Sequence, residues 1–206
     1  MKNKIFIAID TNRVKKAKSI ISKCKFKNLK IGYKFGLEFI NSKGGRSFIS
    51  KLRKKIIFID LKLHDIPNTM SSALIALKDL KINYLTVHIS SGLNALKKVK
   101  KVSGKTKIVG ITTLTSLDNK DLKSIGHKKS LKEIVKLQSK LAKKAKLDAI
   151  VCSPHEVKIV RKYFNKEIIT PGIRFLSSLN DQKRVMTPRL AFKQGSDWLV
   201  IGRELT

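Results

Sequence analysis

Residues 56–69 read IIFIDLKLHDIPNT, an apolar segment that passes directly into a charged one. Its first four residues are uninterrupted and mostly β-branched, which predicts a buried β-strand. Because side chains two apart on a strand share a face, Asp60 and Lys62 are expected to point the same way. A carboxylate and an ammonium on one face of a core strand must pair or line a site. The stretch therefore predicts either a structural ion pair at the strand end or, with Asp65 in the loop beyond, a site for acid–base chemistry.

Short apolar segments of this kind recur eight times, and stretches with helical periodicity separate them. We predict strands over residues 5–10, 29–33, 56–62, 84–89, 108–113, 149–153, 168–172 and 198–202, and helices including 14–24, 70–80, 131–145 and 155–163. Strands that alternate with helices indicate a parallel sheet. Eight such units predict a (β/α)8 TIM barrel, with residues 1–206 as one catalytic domain. A doubly wound open sheet is the alternative, weakened because no glycine-rich dinucleotide fingerprint follows the first strand.

The chain is strongly basic, with 46 lysines and arginines against 14 acidic residues and a net charge of +32. The lysines are spread along the whole chain, in segments that resemble the polar faces of amphipathic helices. No nucleic-acid-reading motif or aromatic stacking cluster accompanies the charge. A basic nucleic-acid-binding protein therefore remains an alternative, but we expect no specific nucleic-acid partner.

The sequence predicts a cytoplasmic protein with no membrane partner. No apolar run approaches the ~18 residues that suggest a membrane span. The apolar residues 5–9 are too few for a secretion signal and end at Asp10. Cys24 and Cys152 are far apart and show neither metal-ligand nor redox spacing, so we expect two reduced thiols in or near the core.

Polar residues follow the predicted strands. In a barrel, all strand ends of one sense meet at the C-terminal face, where active sites form. Each residue also has an ordinary structural alternative, such as a buried core position for His88 or a snorkelling side chain for Lys30. The residues expected at this face lie at or just after strand ends, except Lys30, which lies within the second predicted strand. They are Asp10, Lys30, Asp60, Lys62, His88, Thr113, Thr115, Ser153, Pro171, Gly172, Arg174, Gly202 and Arg203.

The last two predicted units point to a phosphate group in the ligand. Loops after strands seven and eight commonly bind phosphate in barrels. Gly172 and Gly202 allow backbone N–H groups to approach oxygens closely, and Arg174 and Arg203 can make bidentate bonds. Residues 175–180 are predicted to fold over the ligand as a lid. The alternative is an ordinary pair of turn glycines and surface arginines.

With these residues and motifs, the chain resembles the bacterial members of the orotidine 5′-phosphate decarboxylase family. The resemblance spans nearly the whole chain, in family order, over residues 8–10, 29–32, 60–69, 86–88, 114–116, 151–153, 170–174, 181–188 and 200–203. Related Mg²⁺-dependent barrel decarboxylases and aldolases of sugar phosphates share an Asp-x-Lys-x-x-Asp run, but they lack the Ile-Pro-Asn-Thr continuation. A sugar-phosphate enzyme of that kind is the alternative function.

The resemblance implies decarboxylation of orotidine 5′-phosphate to UMP and CO₂, the last step of UMP synthesis, without a metal or organic cofactor. It implies that Lys62 protonates C6 of the pyrimidine, that Asp60 lies against the departing carboxylate and that Lys30 completes the charged array. It further implies that Asp65 reaches into the site of a partner subunit, so that the enzyme is a homodimer with shared active sites.

The remaining implied roles concern substrate binding. Asp10 and Thr69 resemble the ribose-contacting residues, and Thr115 resembles the residue that reads the pyrimidine edge. Arg174, Gln182, Gly202 and Arg203 resemble the residues that grip the phosphate, and Pro171 is a further implied substrate-binding residue.

Two features depart from the family pattern. The sequence ends at Thr206, directly after the eighth predicted strand, so the C-terminal closing helix of the family is expected to be missing. Glu204 also stands where the family usually has proline. Both departures predict a less firmly held Arg203.

Overall fold

The computed structural model describes residues 3–175, 186–202 and 205, and its eight parallel strands close into a barrel. The strands are β1 (Asn3–Ile9), β2 (Leu29–Gly36), β3 (Ile56–Leu63), β4 (Tyr84–His88), β5 (Lys107–Ile111), β6 (Ala149–Val151), β7 (Glu167–Thr170) and β8 (Trp198–Ile201). Each strand pairs with the next, and β8 pairs with β1 from Lys4↔Trp198 to Ile7↔Ile201. This closure confirms the predicted TIM barrel and excludes the open sheet.

Helices connect successive strands. They are α1 (Val14–Lys23), α2 (Leu37–Ile40), α3 (Gly45–Ser50), α4 (Pro67–Ala76), α5 (Gly92–Val102), α6 (Asn119–Ser124), α7 (Leu131–Lys144), α8 (Val157–Tyr163) and α9 (Pro188–Gln194), with 3₁₀ turns at Lys78–Leu80, Ile89–Ser91 and Pro154–Glu156. Pro67 and Pro188 occupy first helical positions, where the fixed φ of proline suits the helix and its missing N–H costs nothing. The helix predicted over residues 70–80 therefore begins earlier, at Pro67, and ends at Ala76.

The second strand is longer than predicted. It continues beyond residue 33 to Gly36, and its pairing with β3 runs from Gly32↔Ile56 to Gly36↔Asp60. The apolar pattern did not reveal this extension because the half-buried Lys34 interrupts it. The C-terminal end of β2 consequently lies three residues later than expected. Lys34, rather than Lys30, therefore lies near the C-terminal face of the barrel.

Aromatic side chains fill the N-terminal half of the barrel. The ring of Phe6 stacks on Trp198 with centroids 4.2 Å apart, and it lies 4.8 Å from Phe58 and 5.2 Å from Tyr84. Gly32 leaves room for this packing, because a Cβ there would lie 2.5 Å from Phe6 Cε1. We call Phe6, Phe58, Tyr84 and Trp198 the aromatic floor. Within the barrel that the described residues form, this packing leaves the C-terminal ends of the strands as the place for a ligand.

A second apolar core lies around the barrel strands and the inner faces of the helices. Helix α1 buries Ala17 and Ile20, whereas the lysines of this helix are exposed. Helix α7 shows the same division, which confirms that these lysine-rich segments are solvated helix faces. Both cysteines are buried thiols, as predicted.

Among the described residues, every helix is too short or too polar to cross a bilayer.

Candidate active site

A cavity of about 260 Å³ opens at the C-terminal ends of the strands, above the aromatic floor. Its charged lining comes from Asp10, Lys34, Asp60, Lys62 and Arg174. Its other lining residues are Ala8, Phe58, Ile111, Thr113, Leu114, Thr115, Val151, Pro171, Gly172, Val200 and Gly202. A few convergent charges within an otherwise largely apolar wall suit a small ligand with both polar and apolar parts.

Asp60 lies at the centre of the charged side chains, with its own side chain 12% exposed. Its Oδ2 accepts a hydrogen bond from Lys62 Nζ at 2.9 Å and lies 3.5 Å from Lys34 Nζ. Lys34 Nζ also donates to Asp10 Oδ1 at 3.3 Å, just beyond the end of β1. Asp10, Lys34, Asp60 and Lys62 thus form a row of alternating charges across the barrel mouth, which we call the charge chain.

The electrostatic environment keeps Asp60 ionised. Burial opposes its charge, but the positive charges of Lys34 and Lys62 and hydrogen bonds from Lys62 and Thr86 outweigh that effect, so the pKa of Asp60 lies below its ordinary value. A fixed carboxylate between two ammonium groups can hold both cations in place while repelling a second carboxylate brought to the same site.

Lys62 sits in a bulge of β3. The pairing with β4 passes from Ile59↔Leu85 to Leu63↔Val87, so β3 contains extra residues at this point. Lys62 has a left-handed backbone with φ of 51°, a conformation that costs a non-glycine residue roughly 1–2 kcal/mol. Its N–H donates to Thr86 Oγ1 at 2.7 Å. The predicted proximity of Asp60 and Lys62 is therefore observed, although the strand between them is not regular.

Lys30 does not belong to this cluster. It lies at the N-terminal end of β2, is exposed and pairs in register with Lys4. Four residues along a strand span about 13 Å, so Lys30 and Lys34 lie toward opposite ends of the barrel. The assignment of Lys30 to the charged array is corrected: Lys34 occupies that place because β2 extends to Gly36.

Asp65 and Thr69 lie after β3, outside the lining of the cavity of their own chain. Both are exposed, and neither lines the cavity that the described residues form. Asp65 Oδ1 accepts the N–H of Ile66 at 2.7 Å, and Ile66 itself is 65% exposed. The stretch that carries the implied inter-subunit contact is thus on the protein surface.

His88 ends β4 in a half-buried position, with its ring 5.1 Å from that of His64. Burial, followed by the charges of His64 and Lys62, lowers the pKa of His88, while Asp60 acts in the opposite direction. A neutral imidazole beside the charge chain follows from this environment.

Several residues of the implied substrate-binding set meet at the cavity, namely Asp10, Thr115, Pro171, Arg174 and Gly202. Arg174 is 8% exposed, and its Nη1 donates to the carbonyl of Ile173 at 3.0 Å. Its N–H donates to Met186 O, while Met186 N–H donates to Gly172 O, both at 3.1 Å. These bonds join the two ends of the segment that carries residues 176–180 and Gln182. Residues 176–180, Gln182 and Arg203 lie outside the described residues.

Sequence reasoning missed two residues of the cluster, Lys34 and Thr86. A signal for Lys34 was present, because Lys-x-Gly occurs twice on this strand, at residues 30–32 and 34–36. Thr86 lies in the family-like block 86–88, but that block gave no sign of a contact with Asp60. The contact depends on the register between β3 and β4, in which Phe58 pairs with Tyr84.

Curated proteins resemble the chain over almost its full length. It is 43% identical to an orotidine 5′-phosphate decarboxylase of Ehrlichia chaffeensis over 211 residues, covering 99% of this chain and 90% of that protein. It is 39% identical to an orotidine 5′-phosphate decarboxylase of Coxiella burnetii, covering 98% of this chain and 89% of the relative. These comparisons support neither the sugar-phosphate alternative nor the nucleic-acid-binding alternative.

A solved structure agrees with this resemblance. The crystal structure of orotidine 5′-phosphate decarboxylase from Lactobacillus acidophilus superimposes with a TM-score of 0.83 at 30% identity, covering 98% of this chain and 91% of that one. The family model described as "Orotidine 5′-phosphate decarboxylase / HUMPS family" matches residues 3–206. The match of this family model to residues 3–206 and the 43% identity to a relative over almost the full length of the chain agree with the closed barrel, and the chain therefore belongs to the orotidine 5′-phosphate decarboxylase / HUMPS family.

Proposed function

We propose that this protein decarboxylates orotidine 5′-phosphate to UMP and CO₂ in pyrimidine biosynthesis. The observation that carries the proposal is the Lys62 ammonium held 2.9 Å from Asp60, with Lys34 on the other side, in the wall of the cavity. Loss of CO₂ from C6 leaves an electron pair on that carbon that the pyrimidine ring delocalises poorly. A preorganised ammonium stabilises the developing negative charge more effectively than water, which must reorient to do so.

In the proposed reaction, the substrate carboxylate lies beside Asp60. The bond between C6 and the carboxylate carbon breaks, CO₂ leaves, and the electron pair stays on C6. Lys62 then donates an Nζ proton to C6 and completes UMP, and the resulting neutral amine regains a proton from solvent. Lys34 and Asp10 keep Asp60 and Lys62 in place throughout, since they continue the charge chain away from the reacting carbon.

Substrate binding is proposed along the cavity wall. Thr115 reads the pyrimidine edge, Asp10 binds the ribose, and Arg174 and the backbone near Gly202 bind the phosphate, joined by Gln182 and Arg203. Pro171 lines the cavity wall against the bound substrate. Arg174 suits its task because a guanidinium makes strong charge-assisted bonds to phosphate in a water-poor setting. Phosphate binding away from C6 supplies energy that orders the charges at the reacting carbon.

The proposed active unit is a homodimer with shared sites. Its support is the position of Asp65 and Thr69, which are exposed and do not line the cavity formed by the described residues, although the family resemblance gives both a part in the site. The exposed Ile66 between them is an apolar side chain that a second copy would cover. In this arrangement Asp65 contributes its carboxylate, and Thr69 its hydroxyl, to the neighbouring site.

The first prediction is that purified protein converts orotidine 5′-phosphate to UMP in the presence of EDTA. The ammonium groups supply the positive charge that a metal ion supplies in the sugar-phosphate enzymes, so chelation should leave the rate unchanged. Loss of substrate absorbance measures the reaction, and Lys62→Ala is the inactive control. Activity that vanishes on chelation and returns with Mg²⁺ would contradict the proposal.

A further inference from the structure

A buried hydroxyl on β4 connects Asp60 and Lys62, the two residues of the charge chain nearest the proposed reacting carbon. Thr86 is 0% exposed and does not line the cavity formed by the described residues. Its Oγ1 accepts the N–H of Lys62 at 2.7 Å and donates to Asp60 Oδ1 at 3.0 Å. Thr86 therefore contacts the backbone of one charged residue and the side chain of the other, from behind the cavity wall.

The direction of both hydrogen bonds is fixed by their chemistry. An amide N–H can only donate, so the Thr86 oxygen is the acceptor toward Lys62. The single hydroxyl proton then remains for Asp60, whose ionised carboxylate can only accept. The arrangement is therefore satisfied in one orientation, with Asp60 charged.

Thr86 also serves the bulge in which Lys62 lies. The β3–β4 pairing shifts between Ile59 and Leu63, and the Thr86 hydroxyl provides an acceptor for the Lys62 N–H within that shifted region. A left-handed lysine persists only where its surroundings hold it there. This hydroxyl is one such restraint, because it bonds the N–H of the strained residue itself.

We propose that Thr86 is a positioning residue for the reaction: its hydroxyl holds the Lys62 backbone and the Asp60 carboxylate in the relative geometry from which Lys62 delivers its proton. This inference rests on the proposed decarboxylase function. Thr86 acts through Asp60 and Lys62 and does not touch substrate. Its loss should therefore affect the chemical step more than ligand binding.

The test compares Thr86→Val, which keeps the shape and removes the hydroxyl, with Thr86→Ser, which keeps the hydroxyl. Thr112→Val is the matched control, because Thr112 is 1% exposed and its hydroxyl donates to the carbonyl of Val151 at 3.1 Å outside the charge chain. Thermal unfolding of all three variants separates a loss of positioning from a loss of folding.

Three measurements on each folded variant test whether Thr86 positions Asp60 and Lys62. For Thr86→Val, kcat should fall on the order of 10- to 100-fold, as small misplacements of reacting groups do. The Kd for UMP should change by less than about threefold, since the cavity wall is intact. The titration of the Asp60 carboxyl, followed by ¹³C NMR, should move to higher pH, because the carboxylate loses a hydrogen-bond donor.

Thr86→Ser should restore kcat and the Asp60 titration toward wild type, and Thr112→Val should retain both. A folded Thr86→Val protein with wild-type kcat and Asp60 titration would overturn the proposal, as would a Thr86→Ser protein as impaired as Thr86→Val. If the wild-type protein fails to decarboxylate orotidine 5′-phosphate, the proposed function is wrong. The NMR titration then still decides whether Thr86 fixes Asp60.

Discussion

At the residue scale, Lys34 and Lys30 form a natural pair of test and control. Both lie on β2, and removal of either lowers the net charge by one, but only the ammonium of Lys34 is placed 3.5 Å from Asp60. We predict that Lys34→Ala lowers kcat/KM for orotidine 5′-phosphate by about 10²- to 10³-fold, the usual cost of removing a preorganised electrostatic group. Lys30→Ala should stay within about twofold of wild type, because exposed charges far from the reaction contribute little. Steady-state kinetics of the two variants measure the difference, and equal losses would contradict the placement of Lys34.

The same two lysines show where sequence reasoning reaches its limit. The family-like Lys-x-Gly pattern occurs at both positions, and side chains four apart on a strand share a face. The alternation of side chains alone cannot tell which of the two lysines lies near Asp60, because that depends on where β2 ends relative to β1 and β3. That end is fixed by strand pairing, in which Gly36 lies beside Asp60.

At the scale of single elements, α7 supports the loop that follows β5. Gln138 Oε1 accepts the N–H of Thr113 at 2.9 Å and lies 3.4 Å from its Oγ1. Thr113, Leu114 and Thr115 line the cavity, so this bond links a helix to the proposed pyrimidine-reading loop. The helix thereby helps to set the shape of the site from outside the barrel.

We predict that Gln138→Leu raises KM for orotidine 5′-phosphate by about 5- to 10-fold, the equivalent of one lost hydrogen bond of about 1 kcal/mol. Because the charge chain is untouched, kcat should change much less. Gln138→Glu keeps an acceptor oxygen in the same place and serves as the control. A change confined to kcat, or an equal effect of both substitutions, would refute this role of the helix.

The strands themselves were predictable and the bulge was not. Eight apolar segments identified β1 to β8 because each is short, buried and followed by a helical pattern. The irregular region of β3 could not be foreseen, because the left-handed Lys62 donates its N–H to Thr86, a residue 24 positions away on the next strand. Local patterns carry no information about such a pairing.

At the scale of the whole molecule, the N-terminal mouth of the barrel is closed by an ionic cluster beneath the aromatic floor. Glu167 Oε2 accepts from Lys107 Nζ at 2.9 Å and from the Tyr84 hydroxyl at 3.0 Å, and Lys4 Nζ lies 3.8 Å from Oε1. Burial and then Glu167 raise the pKa of Tyr84 to about 12. Lys107 has a raised pKa, because its bonds to Glu167 and Tyr84 outweigh its burial.

This cluster predicts a loss of stability at alkaline pH. The pKa of Tyr84 is higher in the folded chain than in the unfolded one, so its contribution is complete below about pH 10 and is lost as the pH rises toward about 12. A pKa of about 12 in the folded chain against about 10 in the unfolded one corresponds to roughly 2–3 kcal/mol of unfolding free energy. Denaturant unfolding between pH 9 and 12 should therefore show a shallower decline for Tyr84→Phe than for wild type. Tyr163→Phe, outside the cluster, is the control and should follow wild type, and parallel curves for all three proteins would contradict the prediction.

The proposed assembly gives the last prediction. If Asp65 serves the neighbouring site, Lys62→Ala and Asp65→Ala homodimers are each nearly inactive, but a mixed dimer contains one site with wild-type Lys62 and wild-type Asp65. Random exchange puts half of the chains in mixed dimers with one good site each, so the mixture should recover about a quarter of wild-type activity. Sedimentation and activity after demonstrated subunit exchange measure the outcome.

The control mixes Lys62→Ala with Asp60→Asn. Asp60 and Lys62 of one chain are 2.9 Å apart and act in the same site, so every site in this mixture carries a lesion and no activity should return. Recovery in the first mixture alone would place Asp65 across the subunit boundary, in keeping with its exposed position beyond β3. A monomeric protein, or a lack of recovery despite exchange, would instead require Asp65 to act within its own chain, and the loop after β3 would then have to turn toward its own cavity.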